Sequence, residues 1–142
     1  MNVKQISIFI ENRPGSLYEV VETLAENDIH IRAFTVMESG NITTLRLIID
    51  NVLWASSILK NSGYNAAFSE VLVINIANVA GGLSRVLEAM NDAGINIEHI
   101  YSMTDKNISG VLVFEVDDVK KASGVLKNSG IKVITQEELY VL

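Results

Sequence analysis

Hydrophobic positions along this 142-residue chain fall into short stretches of period two separated by longer stretches of helical period. Ile6, Ile8 and Ile10 share one strand face, because successive side chains of a strand point to opposite sides. Leu17, Val20, Val21 and Leu24 follow at i, i+3, i+4, i+7 spacing, and Ser16 with Glu19 three residues on has the form of a capping box. A strand beginning Ile29-His30-Ile31 comes next, then a turn through Ser39-Gly40-Asn41 and a return strand with Leu45, Leu47 and Ile49. The pattern then predicts a second helix after Asp50 that buries Val52, Ala55, Ile58 and Leu59 and stops at Gly63. Asn65 to Ser69 reads as a last strand.

The same order then recurs. Leu59-Lys60-Asn61-Ser62-Gly63 returns as Leu126-Lys127-Asn128-Ser129-Gly130, an offset of 67 (126 − 59). Earlier in the module the offset is 66 (78 − 12), since Asn12, Gly15 and Leu17 answer to Asn78, Gly81 and Leu83. One extra residue in the second copy's middle loop, around Asp105 to Ser109, accounts for the difference. Hydrophobic phase repeats too: Leu72, Ile74 and Ile76, then Leu83, Val86, Leu87 and Met90, then Leu112, Phe114 and Val116. A twin of the second helix buries Val119, Ala122, Val125 and Leu126, and Ile131 to Thr135 reads as its closing strand.

The order is therefore βαββαβ twice, an α+β chain with modules at 1–70 and 71–142. With right-handed crossovers each module closes as a ferredoxin-like antiparallel sheet with both helices on one face. A unit this small buries only ~60% of its unfolded surface, so each should pack against the other, another chain, or both.

Charge and composition remove whole classes of function. Net charge is −6, with 17 acidic and 11 basic residues and no basic run, so neither nucleic acid nor an anionic membrane surface is expected as a partner. Cysteine is absent, which excludes disulfides, thiol nucleophiles and thiolate metal sites. The chain opens directly into a strand pattern with no signal region or membrane span, and a cytoplasmic location is expected. His30 and His99 have no cysteine to activate and no carboxylate cluster for a metal, so no catalytic centre, metal or cofactor is expected. Asp117-Asp118 falls where a helix N-cap is needed and reads as capping.

The junction Glu11-Asn12-Arg13-Pro14-Gly15-Ser16-Leu17 holds the chain's only proline. A Pro-Gly turn entering a helix leaves backbone N–H groups pointing outward at the positive end of the helix dipole, which suits a carboxylate. Equally, it only makes the turn, with those groups bound by water or Ser16. Two readings also stand for Leu53 and Trp54, which replace the solvent-facing Lys120 and Lys121 of the second copy. The pair either marks a contact surface or lets Trp54 lie over its own module.

Ile-Glu-Asn-Arg-Pro-Gly-Ser-Leu (10–17), followed by a helix and Asp-Ile-His-Ile (28–31), resembles the ACT domain, in particular the serine-sensing one of bacterial phosphoglycerate dehydrogenases. Ala77-Asn78-Val79-Ala80-Gly81-Gly82-Leu83, followed by Gly94-Ile95-Asn96-Ile97, is a second, looser match without the proline. The resemblance covers the whole chain. It implies a non-catalytic regulatory module that binds a free amino acid where two ACT units meet.

By that resemblance Asn12 and Asn78 hold the ligand, joined by Pro14, Gly15, Ser16 and Leu17 of the first turn and Ala80, Gly81, Gly82 and Leu83 of the second. An asparagine opening the second strand of a neighbouring unit also contributes; Asn96 matches it, and copy one has His30 there. A family histidine ahead of the turn falls on Ile10, which argues against serine itself. The second copy, with both asparagines, is the expected better site. A homodimer and a regulated enzyme in another chain are the implied partners, such as in acetolactate synthase small subunits. A structural pairing module without ligand is the alternative.

ACT units often pair through their second strands, which in one chain would set strand 4 and strand 1′ ~29 Å apart, against ~10 Å of linking chain. Pairing between chains, or a strand crossing from one module into the next, is therefore expected. Glu137 to Leu142 aligns with Ser69 to Ile74, so an extra C-terminal strand on the first module is expected as well.

Overall fold

A computed structural model describes residues 2–76, 79–103 and 110–139. The elements in order are β1 (Val3–Glu11), α1 (Ser16–Glu26), β2 (Ile31–Ser39), β3 (Ile42–Ile49), α2 (Val52–Asn61), β4 (Asn65–Asn75), α3 (Gly82–Asp92), β5 (Ile97–Ser102), β6 (Val111–Val116), α4 (Val119–Asn128), β7 (Lys132–Ile134) and α5 (Gln136–Leu139). Two compact units result: Lys4–Ser69, and Glu70–Leu142 with Met1–Val3. β4 runs unbroken from the end of one unit into the start of the other, which is the crossing strand expected from the short linker.

In the first unit β3 pairs antiparallel with both β1 and β2, and β1 neighbours β4. In the second, β6 pairs with β5 and β4, and β4 also takes β7. Each unit is thus a ferredoxin-like βαββαβ module. The repeat holds down to irregularities: the register slips between Ile31 and Ala33 in one copy and between Ile97 and His99 in the other.

The first core gathers Ile6, Ile8, Leu45, Leu47 and Ile49 from the sheet with Val20, Leu24, Ala55 and Leu59 from the helices. Its counterpart gathers Leu72, Ile74, Phe114, Val86, Met90, Ala122 and Leu126. Leu17 and Leu83, the first members of the predicted helical stripes, are instead exposed beside the turns. α2 and α4 each end in a Schellman motif: Tyr64 N–H reaches Leu59 O at 2.9 Å, and Ile131 N–H reaches Leu126 O at 2.9 Å. Gly63 (φ 82°) and Gly130 (φ 73°) supply the left-handed residue.

α1 and α3 end in the same way, but with different residues at the left-handed position. Asp28 has φ 57° where Gly94 has φ 71°, and the bonds Ile29 N–H to Leu24 O and Ile95 N–H to Met90 O match. An aspartate there bears the Cβ penalty and puts negative charge at the negative end of the helix dipole. Asp28→Gly should therefore raise stability by ~0.5–1 kcal/mol, read as a higher urea midpoint at unchanged slope.

Two expectations need correcting, and the capping by Asp117-Asp118 holds for Asp118. Ser16 is not an N-cap: Gly15 occupies that place, no side chain caps the helix, and buried Ser16 is the first helical residue. Asp118 caps α4 as expected, accepting from Lys121 N–H, and Asn51 caps α2 in the same way from Trp54 N–H, while Asp117 accepts from Asn96 N–H at 3.1 Å. Gln136–Leu139 is a helical turn, not an added strand, while Tyr140, Val141 and Leu142 lie outside the described residues. The cause is local. Thr135 and Glu138 form a capping box, with Glu138 N–H on Thr135 Oγ1 at 3.2 Å and Thr135 N–H on Glu138 Oε1 at 3.3 Å. The Lys132–Glu138 ion pair at 2.7 Å adds to it, and hydrogen bonding from Lys132 and Thr135 holds the Glu138 carboxyl below its ordinary range.

Candidate functional site

The two strand-to-helix turns share one backbone. Gly15 sits at φ 89° and Gly81 at φ 88°, each ahead of its helix. Ser16 N–H bonds Arg13 O at 3.3 Å and Glu19 N–H bonds Gly15 O at 2.9 Å; Gly82 N–H bonds Val79 O at 3.1 Å and Arg85 N–H bonds Gly81 O at 3.0 Å. Only glycine adopts this left-handed φ without strain, so glycine sets the turn and Pro14 is dispensable to its shape. Neither helix has a side-chain cap, so the first-turn N–H groups that follow Ser16 and Gly82 are left to a ligand or water.

Asn12 fastens the first turn to the β2–β3 hairpin. Its backbone N–H donates to Asn41 O at 2.9 Å and its Nδ2 to Gly40 O at 3.0 Å. With Nδ2 so engaged, Oδ1 is what Asn12 chiefly offers a ligand, as an acceptor for an ammonium group. Asn78, its counterpart, lies outside the described residues.

His30 and Asn96 are exposed immediately before β2 and β5. β2 runs parallel to β1, since both pair antiparallel with β3, so His30 stands at the opposite sheet end from Asn12. The eight steps from Ile31 to Ser39 separate them by ~26 Å. Asn96 stands likewise at the far end of β5 from Gly81, and its backbone is held by Asp117 on both sides, as acceptor from Asp117 N–H at 3.1 Å and donor to Asp117 Oδ1. Asn12, Pro14, Gly15, Ser16 and Leu17 thus come together in one module, and Ala80, Gly81, Gly82 and Leu83 in the other. Neither group gathers its own module's His30 or Asn96.

Beside the first turn lies a pocket of about 270 Å³, walled by Glu11, Arg13, Ser16, Glu19, Tyr64 and Asn65. Arg13 Nε lies 3.2 Å from Glu11 Oε2 and its Nη2 3.2 Å from Glu19 Oε2. Glu19 first, by hydrogen bond and charge, and then Glu11 raise the Arg13 guanidinium above its ordinary pKa. The sequence pattern gives Glu19 a place in a capping box with Ser16 and leaves Glu11 and Arg13 in the turn, with no pocket between them. The available signal was a charge reversal between the copies, Glu19 against Arg85.

Other expected features resolve plainly. Trp54 lies over its own module: its indole N–H donates to Asn27 O at 3.2 Å, while Leu53 projects into solvent. His99 Nε2 lies 3.8 Å from Glu115 Oε2 across the β5–β6 pair. Among the described residues no group of three or more His, Cys, Asp or Glu is placed to hold a metal ion, and no helix is long and apolar enough to cross a membrane.

Two tandem ferredoxin-like modules, each with a glycine turn between its first strand and first helix, make up the chain. The sequence matches the ACT domain pair over residues 1–142, and the chain belongs to that family. Protein BT0572 from Bacteroides thetaiotaomicron is 32% identical, with a TM-score of 0.91 over 100% of this chain and 98% of that one. The regulatory subunit of aspartate kinase from Thermus thermophilus has the same fold at 19% identity, TM-score 0.62, covering 89% of each chain. That from Thermus flavus is 17% identical, TM-score 0.58, over 92% of this chain and 94% of that one. No curated protein matches the sequence.

Proposed function

We propose that this ACT domain pair is a non-catalytic sensor of a free amino acid, with sensing units at 1–70 and 71–142, that regulates an enzyme of amino-acid biosynthesis carried on another chain. The observation that carries the reading is the duplicated, uncapped glycine turn at Gly15 and Gly81. Each presents backbone N–H groups and the positive end of a helix dipole to a carboxylate, and each follows an asparagine suited to the ammonium. The same two-module fold in the Thermus aspartate kinase regulatory subunits supports a partner enzyme in another chain. His30 and Asn96 enter such a site from a second copy of the chain, which makes a homodimer the working form. A net charge of −6 without a basic stripe fits a cytoplasmic protein that engages neither nucleic acid nor membrane.

A thermal-shift panel of the twenty amino acids, followed by calorimetry on those that stabilise the chain, tests the reading. Asn12→Ala and Asn78→Ala should each weaken binding at their own turn by ~10- to 150-fold, the loss of one hydrogen bond to a charged ligand group. Failure of every amino acid to bind would leave the pair as a structural module.

A further inference from the structure

Glu19 and Arg85 stand at equivalent positions of α1 and α3, 66 residues apart (85 − 19) and on matching backbone. In the second module the Arg85 guanidinium lies across the α4–β7 turn. Its Nη2 donates to Ser129 O at 2.6 Å and stands 3.7 Å from where a Cβ on Gly130 would be. Ser129 and Gly130 are the counterparts of Ser62 and Gly63. In the first module that same place borders the 270 Å³ pocket, with Gly63 on one wall and Glu19 on the other. One module therefore carries a guanidinium against its own turn carbonyl, where the other has on the pocket wall the half-exposed Glu19 carboxylate, paired through Oε2 with Arg13.

We propose that the first module's pocket binds a small amino compound with a cationic tail, a guanidinium or primary ammonium, placed where Arg85 lies in the second module. The charged walls, Glu11, Glu19 and Arg13, sum to −1 and so favour a ligand of net positive charge. The cationic tail lies against Glu19 and the Ser62 carbonyl, repeating the contact Arg85 makes to Ser129. A ligand carboxylate, where there is one, takes Arg13, which the two glutamates already hold in position. At about 270 Å³ the pocket has room for a small metabolite. At the positions of Glu11, Arg13, Tyr64 and Asn65 the second module has Ala77, Val79, Ile131 and Lys132, so this charged wall belongs to the first module alone. The pocket needs no second unit and does not use Asn12; of the residues of the amino-acid site proposed above it shares only Ser16, on its wall.

Calorimetry on the full chain with L-arginine, agmatine and L-citrulline tests the assignment. L-arginine should bind at one site per chain, and citrulline, its uncharged counterpart, ~10-fold or more weaker. Agmatine, which lacks the carboxylate, distinguishes an amine from an amino acid as the source of the cation: weaker binding than arginine assigns the carboxylate to Arg13, equal binding assigns recognition to the cationic tail. Glu19→Gln should lower arginine affinity by ~3- to 10-fold, the smaller end reflecting a half-exposed carboxylate. Glu19→Arg, which transplants the second module's residue, should abolish binding while melting as a folded protein, since α3 carries arginine at that position. Asn12→Ala should leave arginine binding intact. Absence of binding by any cationic compound up to millimolar concentration overturns the proposal, as does a folded Glu19→Arg variant that binds like wild type. Loss of arginine binding in Asn12→Ala but not in Glu19→Arg would refute this pocket while leaving the sensor reading standing.

Discussion

Gly110→Ala should cost ~3 kcal/mol or more, because the added Cβ would collide with main chain. Gly110 holds φ 77°, and a Cβ built there would stand 2.5 Å from the backbone oxygen of Ile76. Two costs combine. An L-residue in the left-handed region costs ~1 kcal/mol or more, and the overlap is with main chain, which cannot swing aside as a side chain can. Relief requires β4 and β6 to separate at this end, where Ile76 N–H donates to Gly110 O at 2.8 Å, so a hydrogen bond worth ~1 kcal/mol is placed at risk as well. Gly81→Ala is the control, because its φ of 88° is just as unfavourable while nothing lies within 4 Å of the added Cβ. It should cost only the backbone strain, ~1 kcal/mol. Urea unfolding of both variants separates strain from collision; equal losses would mean that the approach of Ile76 to Gly110 imposes no constraint.

Gly110 also shows where sequence reading stops. Period and phase located the helices and strands because both copies bury one face per element, and a 66-to-67 offset tied them together. The glycine turns were legible for the same reason: Gly15 and Gly81 recur in register, and a left-handed residue before a helix needs glycine. Gly110 recurs nowhere in the first copy, where Thr43 stands at the equivalent position, so its role depends on a tertiary approach that no periodicity records.

The C-terminal error was of another kind. Aligning Glu137 to Leu142 with Ser69 to Ile74 gives weight to the repeat, while the Thr135–Glu138 capping box is written in the sequence and outweighs it. The candidate site was half legible. Residues of each turn come together because they are adjacent in the chain, whereas His30 and Asn96 stand at the far sheet ends, which their chain positions alone do not disclose. The pocket beside Arg13 went unseen because exposed Glu11, Arg13 and Glu19 look like any solvated surface until the reversal at Arg85 is set beside them.

Phe114→Ala should cost ~3–5 kcal/mol, and Phe114→Leu should recover most of that loss. Phe114 is fully buried in the second core with Leu72, Ile74, Met90 and Leu126. Its counterpart in the first core is Leu47, also fully buried, so the same sheet position accepts two side chains of different volume. Truncation to alanine removes a ring from a close-packed interior and leaves a cavity that β6, fixed by pairing with both β4 and β5, cannot collapse to fill. Leucine refills much of that volume in a shape the fold already tolerates at Leu47, and its cost should fall near 1–1.5 kcal/mol. The reverse exchange, Leu47→Phe, should overpack the first core and cost ~1–3 kcal/mol, since its neighbours are set for the smaller side chain. Midpoints of urea unfolding for the three variants give the comparison. A Leu47→Phe variant as stable as wild type would show that the first core has spare volume and that the two modules are packed to different tightness.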